Sequence, residues 1–395
     1  MSDFPTTYTQ WLAKLVSTTS NVEMMEYIKA YLKTFGVEAS YLQSPSTTHT
    51  NLFATLPASN GVTQGGIVMS GHTDVVPVEG QKWDSDPFTL TERDGKLYGR
   101  GASDMKGFIA VCLTLTPTFM AMTRTKPVHF AFSFDEQAGS ADAPLMASWL
   151  KAKGLRADCC LAGDGGLKGG AGGNGFSSWK VVLHGKAVHP SMSVVDTSCN
   201  AVQYAAQLIT KARQIALDAT ENGKHDPTNS APFSCMNFGM LGGGNAAGGG
   251  HTGCEFTFSV RAMHSGVAKR VEAEVQQYIN ETILPAMREE YPEASVEFMP
   301  DWFAPAFNAN ERHPFTKMVR EMMREHKIRK VGGGTESGFF EEDLGIPTVL
   351  VRPGGENTHL ANEYTEAALL ERSGKFTEEL VRRVAGKTPV DFSKV

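Results

Sequence analysis

The chain has 395 residues, of which 41% are hydrophobic and 20% charged, with a net charge of -6 at pH 7. Two domains are expected at this length, and with no basic stretch interleaved with aromatics, nucleic acid is excluded as the main partner. No apolar run is long enough for a membrane helix, and residues 1–8 lack the basic and apolar regions of a secretory signal, so the expected location is the cytoplasm.

Apolar residues at helical spacing predict helices over 8–15 and 22–35, with Ser20 or Asn21 as cap for the second. Strands follow at 51–56 and 67–70, and helices and strands then alternate as far as Asp164, an α/β pattern. Residues 163–175 are Gly-rich, and the pattern beyond them changes to strand 178–184, helix 200–212, strands 233–240 and 254–263, helix 267–287 and strand 295–298. This βαββαβ order predicts a four-stranded sheet with two helices on one face, the ferredoxin-like arrangement. After Pro305 the α/β pattern returns, with helix 314–325, strand 348–351 and a closing helix over 366–384. The expected division is therefore 1–177 with 303–395 as one domain and 178–302 as an inserted one. The six cysteines, Cys112, Cys159, Cys160, Cys199, Cys235 and Cys254, show no paired zinc-ligand spacing and read as small core hydrophobes in a reducing compartment.

Four hydrophobic runs carry the chemistry. The run 66–69 leads to His72, 128–134 to Glu136 and Gln137, 158–161 to Asp164, and 348–351 to His359. Such runs read as buried strands of a largely parallel sheet, and open α/β sheets place their ligands beyond the carboxyl edge of the strands. A metal enzyme is the first expectation. In Gly71-His72-Thr73-Asp74 an imidazole is followed by a carboxylate that can orient it. In the segment from Tyr98 to Gly107, glycines surround Asp104 at the start of an apolar helix, where the backbone can approach a ligand closely. Ser103 and Asp104 also suit helix N-capping, and Asp164 and His359 each have an ordinary reading as turn residues. Glu136, at a strand exit, is placed to act as general base and then general acid beside a metal-activated water.

The series Gly71-His72-Thr73-Asp74-Val75-Val76-Pro77, then Trp83 to Phe88, then Leu97-Tyr98-Gly99-Arg100-Gly101 with Asp104-Met105-Lys106-Gly107, resembles the co-catalytic zinc peptidases and deacylases. That family includes acetylornithine deacetylase, succinyl-diaminopimelate desuccinylase and carboxypeptidase G; the likeness covers nearly the whole chain and is nearest the acetylornithine deacetylase branch. The resemblance implies a zinc-peptidase-like mixed sheet flanked by helices, with the ferredoxin-like unit inserted as a lid that also makes a homodimer contact. It implies His72 on one metal, Asp104 bridging two, Asp164 completing the first site and His359 on the second. Glu136 would be the general base, Asp74 would orient His72, and a cis peptide would follow Asp104. His189 would reach a neighbouring subunit's site to stabilise an oxyanion, and Arg261 would receive a substrate carboxylate.

Several positions depart from the family. Gln137 stands where the family has the second metal's carboxylate, so one tight Zn2+ site and a second weak or empty one are expected, with Co2+ or Mn2+ as alternative ions. Asp164-Gly165-Gly166 replaces Glu-Pro-Thr, and Gly173-Asn174-Gly175 replaces a His-Lys-Gly turn. The family's Asn-x-x-Pro segment is missing from 245–251, where Asn245 or His251 is the candidate substitute donor. The expected activity is hydrolysis of the amide bond in a small N-acyl amino acid or related metabolite. Two alternatives stay open: a non-hydrolytic metal-dependent elimination, rearrangement or transfer, and binding without turnover.

Overall fold

The computed structural model describes residues 4–44, 47–137, 143–164, 170, 172–189, 198–221, 233–244, 253–324, 330 and 334–392. In chain order the first elements are α1 (Tyr8–Ser17), α2 (Asn21–Lys33), β1 (Ala39–Gln43), β2 (Thr50–Leu56), β3 (Ile67–His72), β4 (Thr91–Arg93), β5 (Lys96–Tyr98), α3 (Lys106–Ala121), β6 (Val128–Ser133), α4 (Ala143–Ala152) and β7 (Cys159–Ala162). Next come β8 (Gly172–Gly173), β9 (Gly175–His184), α5 (Ala201–Glu221), β10 (Cys235–Gly243), β11 (Gly253–Ala262), α6 (Ser265–Tyr278), a π-helical turn at Ile279–Ile283, α7 (Leu284–Glu290) and β12 (Ser295–Ala304). The last are β13 (Phe307–Asn308), α8 (Pro314–Met323), α9 (Ser337–Glu342), β14 (Thr348–Leu350), β15 (Tyr364–Glu366) and α10 (Ala367–Ala385). They form two compact units, one of Met1–Gly172, Asn308–Arg329 and Thr335–Val395, the other of Gly173–Phe307 and Lys330–Gly334.

The first unit is built on a six-stranded sheet in the order β1-β2-β6-β3-β7-β14. Strands β6, β3, β7 and β14 run parallel, and β2 joins them antiparallel with β1 outside it. Side chains alternate across a strand, so each strand feeds two layers. Ile67, Met69, Phe130, Phe132 and Leu161 pack under α1, α2, α3, α8 and α10, while Val68, Ala131 and Cys160 face α4 and α9. Covered on both faces, the central strands can be apolar throughout, which is why they read as continuous hydrophobic runs. Helix α3 is apolar on all sides because it is buried in this core. Gly163 lets it lie close to the sheet: a Cβ there would fall 2.1 Å from the Phe108 ring. A smaller three-stranded sheet, β15-β5-β4, turns between β4 and β5 at Asp94-Gly95, both with positive φ, a favoured two-residue hairpin loop. Among the described residues no helix is long and apolar enough to cross a membrane.

The second unit is a four-stranded antiparallel sheet in the order β10-β11-β9-β12. With chain order β9-α5-β10-β11-α6-β12 this is the ferredoxin-like topology. One core holds Trp179, Val181, Phe256 and Phe258 from the sheet with Leu208 from α5 and Val271 from α6, so both helices cover the same face. Strand β12 runs further than its apolar pattern predicts. It is an edge strand, and an irregularity between Pro300 and Trp302 accommodates the proline that ends the sequence signal.

Ser20 caps α2 by accepting from the Glu23 amide. Neither Ser103 nor Asp104 caps α3, the role that both residue types also suit. The residue before α3 is Met105, without a side-chain cap bond, and the Asp104 carboxylate is engaged elsewhere. The Asp104–Met105 peptide is cis.

Candidate metal centre

Parallel strands deliver their carboxyl ends to one edge, so β3, β6, β7 and β14 release His72, the Asp135-Glu136-Gln137 turn, Asp164 and Arg352 on the same side of the sheet. Backbone bonds hold the exits in register: the Thr73 amide donates to the Ser133 carbonyl, Gly163 to Ser70 and Val351 to Ala162.

His72 is only 1% exposed. Its Nδ1 lies 3.0 Å from the Asp74 carbonyl oxygen and 3.3 Å from Asp74 Oδ1. A carbonyl oxygen only accepts, so Nδ1 carries the proton and Nε2 is left as the ligating lone pair. Nε2 faces Asp104 Oδ1 at 3.5 Å and Glu136 Oε2 at 3.8 Å. Among the described residues neither His72 Nε2 nor Asp104 Oδ1 has a hydrogen-bond partner, although both are buried. Two lone-pair atoms facing each other out of water call for a cation between them. Burial pulls the His72 pKa down, yet Asp104, Asp74 and Glu136 together raise it well above the ordinary histidine value. The cluster is short of positive charge, and imidazole with carboxylate is a donor set suited to zinc. On these grounds the residues fit the ion that the sequence implies.

Asp104 is the shared member. Its Oδ2 is 3.0 Å from His359 Nε2, and its Oδ1 is 3.5 Å from Arg352 Nη1 as well as facing His72. Burial pushes the Asp104 carboxyl up, but His359, His72 and Arg352 outweigh it and hold the group well below the usual carboxylate range. His359 is 52% exposed and sits in a loop with positive φ. Among the described residues no three His, Cys, Asp or Glu side chains are already closed around one point; Asp104 meets His72 and His359 on different oxygens, and His72 also faces Glu136.

Glu136 is buried, and burial raises its pKa well above the ordinary value; His72 opposes this, while Asp164, Asp104 and Asp74 add to it. Asp74 does more than orient His72. Its two oxygens accept the backbone amides of Glu136 at 3.2 Å and Gln137 at 2.7 Å, which fixes the β6 exit against the β3 exit. The Gln137 side-chain amide donates to Glu136 Oε2 at 2.6 Å. Asp164 lies two residues past β7 and acts on Glu136 through its charge.

Two supporting residues escaped the sequence reading. Glu363, 1% exposed, accepts the amides of Ser103 and Asp104 on Oε1, each at 2.9 Å, and the amide of Gly101 at 3.0 Å with Arg100 Nη1 at 2.8 Å on Oε2. It shapes the Asp104 loop, and Gly101, at φ 82, supplies the left-handed turn there. Glu336 is half-buried near Ser133 and Asp135, and desolvation raises its pKa to about 8. A carboxylate that accepts backbone amides leaves no spacing in the sequence, although the Asn362-Glu363-Tyr364 segment does follow the His359 loop closely.

Of the remaining expected residues, His189 is exposed after β9 in the second unit, and Arg261, on β11, places its guanidinium over the Phe176 ring at 4.0 Å from the centroid. Asn245, His251, Gly165 and Gly166 lie outside the described residues.

The family model described as peptidase family M20/M25/M40 matches residues 68–383. Acetylornithine deacetylase of Yersinia pseudotuberculosis is 28% identical over 367 residues, spanning 92% of this chain and 90% of the relative. An M20 family metallo-carboxypeptidase from Sulfolobus solfataricus superposes with a TM-score of 0.72 at 16% identity, covering 97% of this chain and 99% of its own. A dinuclear metal binding peptidase of the same family from Bacillus subtilis gives 0.58 at 14% identity, covering 95% of this chain and 97% of its own. The matched span takes in the edge that carries His72, Asp104, Glu136, Asp164 and His359, and the chain belongs to peptidase family M20/M25/M40 as a metal-dependent amidohydrolase.

Proposed function

We propose that this enzyme hydrolyses the amide bond of a small N-acyl amino acid or a close relative of one, in the manner of an acetylornithine deacetylase with an altered substrate. His72, Asp104 and Asp164 would hold one Zn2+ tightly, and Asp104 with His359, aided weakly by Gln137, would make a lesser second site. When bound, the ion would supply Lewis acidity towards the acyl oxygen and acidify a neighbouring water. Glu136 takes the proton of the attacking water and passes it to the departing amine. The observation that carries this reading is the buried Glu136 carboxylate, 3.8 Å from the ligating nitrogen of His72 and with its pKa already raised towards that of a proton shuttle.

Asp74 keeps the shuttle and the ligand in fixed relation, since it binds the Glu136 and Gln137 amides and the His72 ring at once. Residues 178–302 serve in this proposal as lid and homodimer contact. His189 of a second copy would steady the oxyanion, and Arg261 and Asn245 would bind substrate. The setting is the cytoplasm. A panel of N-acyl amino acids assayed in oxygen-18 water tests the reading: the label must enter the released acid. Turnover that leaves the acid unlabelled would replace hydrolysis by an elimination or transfer.

A further inference from the structure

We infer that Arg352 holds at Asp104 the positive charge that a second metal ion would otherwise bring, so that the centre works with a single ion. The inference rests on the proposed first site at His72, Asp104 and Asp164. Arg352 lies two residues past β14, next to Val351, whose amide is tied to the Ala162 carbonyl. Its side chain is 15% exposed, with Nη1 3.5 Å from Asp104 Oδ1 and Nη2 donating to Thr358 Oγ1 at 3.4 Å, next to His359. Among the described residues, Asp104 is the one acid at ion-pair distance from this guanidinium. A guanidinium cannot give up its proton to admit a cation, so its charge stays beside Asp104 under all ordinary conditions.

The opposite side of the site tells the same way. Gln137 is a neutral amide, its NH2 is committed to Glu136 at 2.6 Å, and its backbone amide is committed to Asp74. A second ion would meet His359, a share of Asp104, and a fixed positive charge, without a carboxylate of its own. Asp104 in turn loses little by the lack of a second ion, because His359 Nε2 at 3.0 Å from Oδ2 and Arg352 Nη1 at 3.5 Å from Oδ1 already face its oxygens.

The test is zinc binding by the full chain, stripped with chelator and titrated against a competing dye, with bound metal counted by mass spectrometry. The comparison set is wild type, Arg352→Lys, Arg352→Gln, Gln137→Glu and the double variant Arg352→Gln/Gln137→Glu, with His72→Ala to mark the first site. Wild type and Arg352→Lys should retain one equivalent that depends on His72. Arg352→Gln should tighten the second equivalent at least tenfold, and the double variant should hold two. Two equally tight equivalents in wild type would overturn the inference. So would an Arg352→Gln protein with unchanged circular dichroism and unchanged second-site affinity, and a raised KM in that variant would instead assign Arg352 to substrate. Failure of the N-acyl amino acid panel would not move these metal counts, so the functional reading and this inference fall separately.

Discussion

Replacing Glu363 with Gln is an isosteric change that opens no cavity, so any loss it causes comes from hydrogen bonding around the Asp104 loop and from the charge withdrawn from its buried ion-pair partner Arg100. In the native protein Oε1 serves the amides of Ser103 and Asp104, and Oε2 serves the Gly101 amide and Arg100 Nη1. A carboxamide has one oxygen, so one of these two pairs must face an NH2 group. The charged guanidinium makes the stronger bond, and the amide oxygen of the variant will turn towards Arg100 and Gly101. The Ser103 and Asp104 amides are then left buried against another donor. An orphaned buried donor costs about 1–3 kcal/mol, so the pair should cost roughly 2–6 kcal/mol, a large share of the about 5–15 kcal/mol that holds an ordinary domain together. Guanidinium-induced unfolding gives the stability, and hydrogen exchange across residues 100–106 locates the damage. Zinc affinity should fall at least tenfold, because the displaced backbone carries the shared ligand. A loss below about 0.5 kcal/mol together with unaltered zinc affinity would show that Glu363 does not hold this loop.

The other expectations concern separate parts of the molecule. Glu136→Ala should reduce turnover by at least a hundredfold while bound zinc, counted by mass spectrometry, stays as in wild type; loss of the metal together with activity would make Glu136 a ligand. His129 is buried with Nε2 2.9 Å from the Gly65 carbonyl and Nδ1 2.9 Å from Thr55 Oγ1, and burial lowers its pKa below the ordinary 6.5. The unfolded chain therefore takes up this proton first, so the stability that neutral His129 contributes is complete above about pH 6.5 and declines as pH falls below it. Urea midpoints of the metal-free protein should drop between pH 7.5 and 5.5, and less steeply in His129→Asn; identical slopes would remove the assignment. Of the six free thiols five are buried and Cys235 is half-exposed, so a thiol reagent should modify one group rapidly in the native protein and all six in denaturant. Several fast thiols would contradict the packing.

The site residues on strand exits could be read in advance because a parallel sheet turns strand order into a shared edge. His72, Glu136 and Asp164 each lie at or just past the end of a fully buried, largely apolar strand, and these strands are largely apolar because helices cover both faces. The β4–β5 hairpin has a legible turn in Asp94-Gly95, but its three-residue strands carry almost no periodicity that would mark them. Asp104 shows how a local signal misleads. Its position before an apolar helix suits a cap, but two imidazoles and a guanidinium from distant segments outbid a single backbone amide for its carboxylate. Glu363 and Arg352 lie beyond pattern reading altogether. Glu363 bonds to backbone amides some 260 residues away, and any residue other than proline can provide such an amide. Arg352 resembles any solvated charge at the end of a strand until folding sets it beside Asp104. The groups that ligate or move protons leave a mark in sequence because their chemistry restricts the residue type at one place. The groups that hold them are restricted by a neighbour far along the chain, so their identity becomes readable only when both partners are seen together.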